Sequence, residues 1–463
     1  ASAAGVRVLA LPQANPTPLT SFSMLHFDAD AGVMVTASHN PAPDNGYKVY
    51  LGGSVVQGDG RGVQIVPPFD AEIAAAIEAA PPADEVPMND DLIDAVDPRE
   101  EYVACASALA SGDASARENL RIVLTAMHGV GAVITSRVLA EAGFTNVSLV
   151  AAQADPDPDF PTVPFPNPEE AGALDMAIEQ AREQGADLII AVDPDADRCA
   201  LAVPDPTSET GWSPLSGDQI GSLLGEFLAS RGMTGSLANS IVSSRLLSRI
   251  ARAHGLDHHT TLTGFKWIAD VIRKNEGKLN YIGGGEESYG FLREDFIRDK
   301  SSVSACCMFA ELAAWAADRG MSIYQLLQQI FVEYGLYKEQ GVSVVRKGKS
   351  GAEEIEAMMK NFRENPLKTL AGSPVVEVLD YAKLQGLWLD KGEVFTLDMP
   401  TTSNVLQYKT ADGTKVSIRP SGTEPKIKFY IGVRGKVTSK EDLPAAEAAC
   451  LKKIQVIRQE LGI

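Results

Sequence analysis

Residues 187–198 read DLIIAVDPDADR, an apolar run followed at once by three alternating aspartates. The run from Asp187 to Val192 is typical of a buried strand, and a helical pattern precedes it at residues 171–184. This one stretch therefore predicts an α/β fold that places carboxylates at the carboxyl end of a strand, where open sheets bind ligands.

The same alternation of strands and helices continues on both sides of this stretch. It indicates three successive units near residues 1–115, 116–215 and 216–345, and a different pattern of strands with one final helix over residues 346–463. We therefore expect three similar α/β domains with mainly parallel mixed sheets, followed by a smaller C-terminal α+β domain. Their ligand loops would face a central cleft.

Three local predictions complete this outline. Residues 155–168 are rich in proline and predict a long loop, residues 344–351 predict a linker, and residues 240–243 predict a strand.

Composition narrows the class of protein. The chain has 463 residues, 45% of them apolar, and a formal net charge of -20, so its surface repels nucleic acid and anionic membranes. No stretch approaches the roughly 18 apolar residues of a membrane helix, and the five cysteines form no C-x-x-C pair. We expect a cytoplasmic protein without a disulfide framework, and the sequence leaves its oligomeric state open.

The carboxylates Asp193, Asp195 and Asp197 predict a metal site. Alternate positions on an extended loop can direct all three side chains to one hard cation, and an open site with few ligands suits magnesium best. Arg198 would then offer its guanidinium to phosphate oxygens. The alternative interpretation is a solvated acidic turn, which the preceding buried strand makes less favourable.

Three further motifs suggest chemistry but are weaker when taken one at a time. Residues 36–41, TASHNP, place Ser38 and His39 on a turn after a strand, where a serine can accept a phosphoryl group, although local composition alone favours a plain turn. Residues 283–290, GGGEESYG, offer Glu286 and Ser288 to sugar hydroxyls.

The third motif is RPSGTEPK, residues 419–426, which combines an arginine, two hydroxyls and a glycine in a turn suited to an oxyanion. Lysine and arginine exceed acidic residues by five between residues 409 and 436, which supports a phosphate site in an otherwise acidic chain. Lys48, Lys266 and His128 carry no such signal by themselves: the lysines would be surface residues and the histidine structural.

Together, in this order, the four motifs TASHNP, DPDADR, GEESYG and RPSGTEPK resemble the α-D-phosphohexomutase superfamily. The segments GFKWI, residues 264–268, and PFPNPEE, residues 164–170, are similar to its phosphoglucomutase/phosphomannomutase branch. The resemblance spans nearly the whole chain. It implies four domains around a central cleft: a phosphoserine domain at 1–115, a metal-binding domain at 116–215, a sugar-binding domain at 216–345 and a phosphate-binding domain at 346–463.

The resemblance also assigns roles to residues. It implies that Ser38 is the phosphoserine, with His39 or Lys48 assisting proton transfer and Arg198 beside them. Mg²⁺ would be held by Asp193, Asp195, Asp197 and an oxygen on Ser38. The substrate-binding residues that it implies are Lys266, Glu286, Ser288, Arg419, Ser421, Gly422 and Thr423.

The activity implied is the interconversion of hexose 1-phosphate and hexose 6-phosphate. Phosphorylated Ser38 would donate to a hexose monophosphate and take the other phosphate back from a 1,6-bisphosphate intermediate, with glucose 1,6-bisphosphate as activator. Glucose is favoured and mannose is a second candidate. Phosphopentomutase, a phosphatase and a non-catalytic sugar-phosphate-binding protein are the alternatives.

Two departures from the family pattern stand out. Relatives usually have a longer stretch before the serine loop, with a GT-x-G-x-R segment, whereas 37 residues precede Ser38 here. We therefore expect the phosphoserine domain to be N-terminally incomplete. In addition, Asp299-Lys300-Ser301 has serine where relatives often have aspartate.

Overall fold

A computed structural model describes residues 1–56, 61–112, 115–274, 280–346, 348–421 and 426–463. By their internal contacts the residues form two compact units, one of Ala1–Ala238 with Gly264–Tyr324 and the other of Asn239–Thr263 with Gln325–Ile463. Within the described ranges, no helix is both long enough and apolar enough to cross a bilayer.

The helices, in chain order, are α1 (Thr17–His26), α2 (Phe69–Glu78), α3 (Arg99–Ser107), α4 (Ala132–Glu141), α5 (Asp175–Gln184), α6 (Gly217–Ser230), α7 (Leu246–Ala253), α8 (Phe265–Lys274), α9 (Ser302–Ala317), α10 (Ile323–Tyr334), α11 (Gly348–Glu364) and α12 (Leu443–Leu461).

The strands of the first half are β1 (Val8–Ala10), β2 (Ala31–Val35), β3 (Tyr47–Leu51), β4 (Val63–Gln64), β5 (Ile93–Ala95), β6 (Ile122–Thr125), β7 (Val147–Leu149), β8 (Leu188–Val192), β9 (Cys199–Pro204), β10 (Trp212–Pro214) and β11 (Ser236–Ser240). Those of the second half are β12 (Asp257–Thr261), β13 (Tyr281–Gly285), β14 (Phe291–Leu292), β15 (Leu336–Val345), β16 (Thr369–Leu370), β17 (Ser373–Asp380), β18 (Gln385–Trp388), β19 (Glu393–Thr396), β20 (Leu406–Thr410), β21 (Lys415–Pro420) and β22 (Lys426–Gly435).

The first unit contains a five-stranded mixed sheet in the order β10-β9-β8-β6-β7. Strands β6, β7 and β8 are parallel, and β9 and β10 are antiparallel additions at one side. Every residue of β6 and β8 is buried, because α5 packs on both strands and α9 packs on β8 and β9. The carboxyl end of β8 therefore leaves a well-packed core directly into residues 193–198.

Smaller sheets complete the first unit. Strands β2, β3 and β4 form an antiparallel sheet, β1 and β5 pair in parallel, and β13 pairs with β14. Helix α6 begins at a capping box, in which the side-chain oxygens of Ser216 and Gln219 each accept the backbone N–H of the other residue, so the helix starts shortly after β10. It then packs on β13, the strand that ends in the glycine-rich motif.

The second unit is built on an antiparallel sheet in the order β15-β22-β21-β20-β17-β18-β19. Strands β15 and β22 pair over ten residues, from Leu336 opposite Gly435 to Val345 opposite Lys426. Helix α12 packs on β15 and β22, and α11 packs on β21 and β22. The sequence predicted one final helix in this C-terminal domain, and α12 is that helix.

Two local predictions were wrong. Residues 344–351 are not a linker, since β15 continues to Val345 and α11 begins at Gly348. Residues 241–243 are not a strand, because β11 ends at Ser240 and Ser243 donates its backbone N–H back to the Ser240 carbonyl oxygen in a turn. The proline-rich segment 155–168 is a loop, as predicted.

The buried central strand provides a test of the packing. Ile189 on β8 is fully buried, so Ile189→Ala should lower the free energy of unfolding by about 2–5 kcal/mol through lost burial and a residual cavity. Val133 on α4 is 75% exposed, and Val133→Ala should change it by less than about 0.5 kcal/mol. Urea denaturation followed by circular dichroism measures both, and equal effects would contradict this packing.

Candidate active site

The loop after β8 is closed around Asp193. One oxygen of this side chain, Oδ1, accepts backbone N–H groups from Asp197 at 3.0 Å and Arg198 at 2.9 Å. Ala196, between them, adopts a left-handed conformation with φ of 56°. This turn brings alternate side chains of the loop to one side.

Asp193, Asp195 and Asp197 form a buried cluster, and one oxygen from each lies within 4.8 Å of the others. Lys48 places Nζ 2.8 Å from Oδ2 of Asp195 and also contacts Asp197. Lys300 places Nζ 2.8 Å from Oδ2 of Asp197. The cluster is thus three carboxylates flanked by lysines from β3 and from the segment before α9.

The free oxygens of the cluster fit a divalent cation. Oδ1 of Asp195 and Oδ1 of Asp197 are buried, and neither has a hydrogen-bond partner among the residues that the structure describes. A buried carboxylate oxygen without a donor is costly, and a hard cation bound by oxygens removes that cost. These residues could therefore hold a metal ion, as their alternate spacing predicted.

The surroundings shift the pKa values of Asp193 and Asp197 in opposite directions. Burial, and then the charges of Asp195 and Asp197, raise the pKa of Asp193 well above its ordinary value. Burial acts in the same direction on Asp197, but Lys300 and Lys48 outweigh it and hold the pKa of that carboxyl below its ordinary value. Asp193 is therefore the carboxylate least compensated by protein cations.

Ser38 lies beside this cluster on the turn after β2. Its hydroxyl lies 3.5 Å from Oδ2 of Asp193 and 3.2 Å from Nδ1 of His39. The residue has a φ of 56°, and its backbone N–H donates to Oγ1 of Thr36 at 2.8 Å. Thr36 in turn donates to Asp195 at 3.1 Å, so the serine turn is tied to the metal loop.

His39 is held in a partly buried position, where its ring stacks on Phe165 with the ring centroids 6.4 Å apart. Burial first, and then the charge of Arg198, lower its pKa to about 3. The imidazole beside Ser38 is therefore neutral near neutral pH. The contact also places Phe165, in the PFPNPEE segment of residues 164–170, beside His39. The sequence analysis had assigned no position to this segment.

The glycine-rich motif reaches the metal loop through its backbone. Arg198 donates from Nη1 to the Ser288 carbonyl oxygen at 3.2 Å, and the backbone N–H of Cys199 donates to the Tyr289 carbonyl oxygen at 3.0 Å. The carboxylate of Glu286 is buried and accepts the backbone N–H of Gly264 at 2.7 Å. Glu286 is thereby linked to the turn that starts α8.

Lys266 lies two residues after Gly264, in the first turn of α8, with Nζ 5.7 Å from the centroid of the Trp267 ring. Burial lowers its pKa from the ordinary value, against the opposing charge of Asp70. Its half-buried ammonium has a cation–π contact, and its role in ligand binding stays a prediction.

The predicted phosphate loop belongs to the second unit. Arg419 lies on β21 opposite Lys428, and Ser421 donates its backbone N–H to the Lys426 carbonyl oxygen at 2.7 Å. Gly422 and Thr423 lie outside the described residues. Two of the lysines counted in the basic segment 409–436 are engaged within the protein. Lys409 pairs with Glu377, and Lys415 donates to the carbonyl oxygens of residues 241 and 243.

Sequence reasoning missed three contributors to the site. Lys300 is an ion-pair partner of Asp197, and Thr17, at the start of α1, donates to Oδ2 of Asp195 at 2.7 Å. Tyr50 on β3 donates to Asp299 at 2.7 Å, which fixes the residue before Lys300. The adjacent opposite charges of Asp299 and Lys300 were the one feature of the sequence that could have suggested Lys300 as a site residue.

Ser301, the departure from the family pattern, has a structural role. Its side chain caps α9 by accepting the Ser304 N–H at 3.2 Å, and its hydroxyl is 2.9 Å from that of Tyr102. Aspartate and serine are both favourable caps, so the two residues can start this helix in the same way.

The turn after β6 supports the metal loop. Gly129 lies so close to Pro194 that a Cβ atom there would be 2.2 Å from the proline Cα, and Val130 donates its N–H to the Pro194 carbonyl oxygen at 2.9 Å. Met127 and His128 both have positive φ, and Nε2 of His128 is 2.8 Å from Oγ1 of Thr162. His128 is structural here, as predicted.

Three buried carboxylates that could hold a metal ion lie beside a serine hydroxyl, two lysines and an arginine, which is the arrangement expected of a metal-dependent phosphotransferase built on α/β domains. Comparison with known proteins gives the family. The four models of the phosphoglucomutase/phosphomannomutase family match in order: alpha/beta/alpha domain I at residues 1–83, domain II at 100–207, domain III at 216–334 and the C-terminal domain at 342–450. The chain belongs to this family.

Individual relatives agree with this assignment. A probable phosphomannomutase of Haemophilus influenzae is 40% identical over 96% of this chain and 86% of its own length. A phosphoglucomutase of Staphylococcus haemolyticus is 33% identical over 93% of this chain and 78% of its own. The crystal structure of a proposed phosphomannomutase from Thermus thermophilus matches 97% of this chain and 84% of its own with a TM-score of 0.68, at 22% identity.

These findings confirm the family and fold class predicted from sequence, and the prediction of a phosphohexomutase enzyme acting on glucose or mannose phosphate. The individual site residues stay predictions, now with a geometry.

Gly129 provides a test of how the metal loop is supported. Gly129→Ala should displace Pro194, because its Cβ would overlap backbone atoms that cannot rotate away. We expect at least tenfold weaker binding of a divalent cation (about 1.4 kcal/mol), measured by isothermal titration calorimetry. Gly221→Ala, where a Cβ would meet Phe291 at an ordinary 3.7 Å, is the matched control and should bind normally. Unchanged binding in both variants would contradict this role of the turn.

Glu286 predicts a pH dependence of stability. Burial first, and then Glu287, raise its pKa to about 7 from an ordinary value of 4.5. Because the folded-state pKa is the higher one, the stabilisation is present below about pH 4.5 and is lost as the pH rises through about 7.

The free energy of unfolding should therefore fall by about 1–3 kcal/mol more in the wild type than in Glu286→Gln between about pH 5 and pH 8. Urea denaturation across that range measures the difference. Glu78→Gln, at an exposed position of α2, is the control, and parallel pH profiles for wild type and Glu286→Gln would refute the assignment.

Proposed function

We propose that this chain interconverts hexose 1-phosphate and hexose 6-phosphate by passing a phosphoryl group through Ser38, with glucose as the favoured sugar and mannose as the second. The observation that carries the proposal is the meeting of the Ser38 hydroxyl with the aspartate cluster. Asp193 is 3.5 Å from that hydroxyl, and two cluster oxygens are available to a cation.

The proposed metal is Mg²⁺, held by Asp193, Asp195, Asp197 and an oxygen of phosphorylated Ser38. When bound, it would neutralise charge on the transferring phosphoryl group. The donor set supports this choice, because every proposed ligand atom is an oxygen, which magnesium prefers to nitrogen or sulfur.

The protein's own residues would divide the remaining work. Ser38 lies in a left-handed turn, and neutral His39, with Nδ1 3.2 Å from the Ser38 hydroxyl, can accept the proton of a hydroxyl. The Arg198 side chain is only 17% exposed, and its Nε has no hydrogen-bond partner among the described residues, which leaves a donor for a phosphoryl oxygen. Lys48 is held by Asp195 and Asp197, so its primary role is to balance charge.

Substrate recognition would use the other motifs. Glu286 and Ser288 are proposed to bind sugar hydroxyls, because the glycine-rich motif that carries them is bonded to the metal loop through Arg198 and Cys199. Arg419, Ser421, Gly422 and Thr423 are proposed to bind the phosphate that does not react, and Lys266 is proposed to face the ligand. The five cysteines are free thiols, which supports a reducing, cytoplasmic compartment for this reaction.

The activity test uses glucose 1-phosphate, Mg²⁺ and a trace of glucose 1,6-bisphosphate, with glucose 6-phosphate followed by a coupled dehydrogenase. The wild type should form product without releasing inorganic phosphate. Ser38→Ala should lower kcat by at least about 10³-fold, because the phosphoryl carrier is removed. Ser54→Ala, at an exposed serine that hydrogen bonds to Asp30, is the matched control and should retain activity.

The outcomes separate the candidate functions. Net phosphate release would indicate a phosphatase, and activity that persists in Ser38→Ala would exclude this serine as carrier. Parallel assays with mannose 1-phosphate and ribose 1-phosphate compare kcat/KM between sugars, and faster turnover of the pentose would overturn the hexose assignment.

A further inference from the structure

A second concentration of positive charge lies in the second unit, outside all four motifs. A pocket of about 430 Å³ is lined by Arg249 from α7, by Arg434 at the end of β22 and by Lys436 just after it. Its volume falls within the roughly 300–1,000 Å³ of small-molecule sites. Among the described residues, none of these three cations forms an ion pair with a carboxylate.

The acidic residues that line the pocket do not cancel this charge. Asp412, in the turn after β20, is paired with Lys453 and accepts hydrogen bonds from Thr410 at 2.7 Å and from the Thr414 N–H at 3.1 Å. Glu333 at the end of α10 is the remaining carboxylate of the lining. Three cations therefore face one uncompensated carboxylate, in a chain whose net charge is -20.

The pocket is distinct from the predicted phosphate loop. That loop precedes Lys426, at the start of β22, whereas the pocket lies at Arg434 and Gly435, where the strand ends. Nine residue steps of an extended strand separate them by on the order of 30 Å. One anion cannot contact both ends of this strand.

The pocket also lies at the connection between a helix and the large sheet. Gly335, with φ of 98°, joins α10 to β15, and a Cβ atom there would be 3.4 Å from Nε of Arg434. Arg434 extends over the Tyr337 ring, with its guanidinium carbon 5.8 Å from the centroid. A ligand between Arg249 and Arg434 would therefore bridge α7 and β22, two elements that lie on either side of Gly335 in the chain.

We propose that this pocket binds a phosphate-bearing small anion through Arg249, Arg434 and Lys436. Two guanidinium groups offer fixed, paired donors that match phosphate oxygens, and a lysine adds a third positive charge. An acidic chain repels anions over most of its surface, so three cations that have no carboxylate partner within the described ranges favour anion capture at this pocket. The site does not depend on the proposed catalytic function.

The test is a calorimetric titration of the full chain with inorganic phosphate at constant ionic strength, maintained with chloride. Arg419→Ala serves as the background, because it weakens the predicted phosphate loop. In this background we expect one remaining phosphate site. Adding Arg249→Ala and Arg434→Ala should weaken that site at least tenfold, whereas adding Arg252→Ala, which removes an exposed cation from the same helix outside the pocket, should leave it unchanged.

Each outcome bears on the proposal. Phosphate binding that is lost in Arg419→Ala alone, or that is equal with and without Arg249 and Arg434, would overturn it. Lys436→Gln, at an exposed position, should weaken the site severalfold without affecting folding, so the proposal stays testable if the double replacement is unstable. In the Arg419→Ala background, glucose 6-phosphate binding that is tighter than phosphate binding and is weakened by Arg249→Ala and Arg434→Ala would assign the pocket to a sugar phosphate. Equal dependence of both ligands on Arg249 and Arg434, with equal affinity, would assign it to free phosphate.

Discussion

The mutual repulsion of three buried carboxylates is the constraint on which the first unit depends. One oxygen of each carboxylate lies within 4.8 Å of the others, and two charges at that largest separation repel by on the order of 3 kcal/mol at an effective dielectric constant near 20. The fold offsets this through backbone N–H groups that bind Asp193 and through the lysines that contact Asp195 and Asp197. Because Lys48 lies on β3 and Lys300 lies before α9, balancing the charge also joins separate elements into one unit.

Backbone strain is found in the loops around this carboxylate cluster. Ser38, Ala196 and Tyr289 are non-glycine residues with φ between 56° and 64°, and one lies in each of the serine, metal and sugar motifs. Such conformations are costly for side-chain-bearing residues and persist where the surrounding structure enforces them. Here that structure includes the Thr36 hydroxyl under Ser38, and the Pro194 backbone against Gly129. The backbone of the three motifs is therefore held in these conformations by the surrounding protein.

Features of the structure that depend on local residue order could be predicted from the sequence. The buried strand β8 and the alternate aspartates after it both follow from residue order, because alternation aligns side chains and an apolar run selects a strand. Lys300 and Thr17 could not be predicted in this way, since each meets the cluster across more than 100 residues of chain. The incorrect prediction of a linker at 344–351 has the same cause. Gly348 and Gly351 suggest a break in regular structure, but pairing with the distant β22 extends β15 to Val345, and α11 begins at Gly348.

The distribution of positive charge also limits what each cation can do. Lys48 and Lys300 are engaged by carboxylates, so they cannot supply the full attraction that a phosphorylated substrate requires in a chain of net charge -20. Arg198 differs from them, because its Nε stays 3.9 Å from Asp193 and 3.8 Å from Asp197 and has no hydrogen-bond partner among the residues that the structure describes. Lys409 and Lys415 are likewise engaged within the second unit. Phosphate recognition therefore depends on cations that keep donors available. Among the described residues, Arg198 in the first unit and Arg249 and Arg434 in the second belong to this group, together with Lys266 and Arg419 of the proposed substrate site.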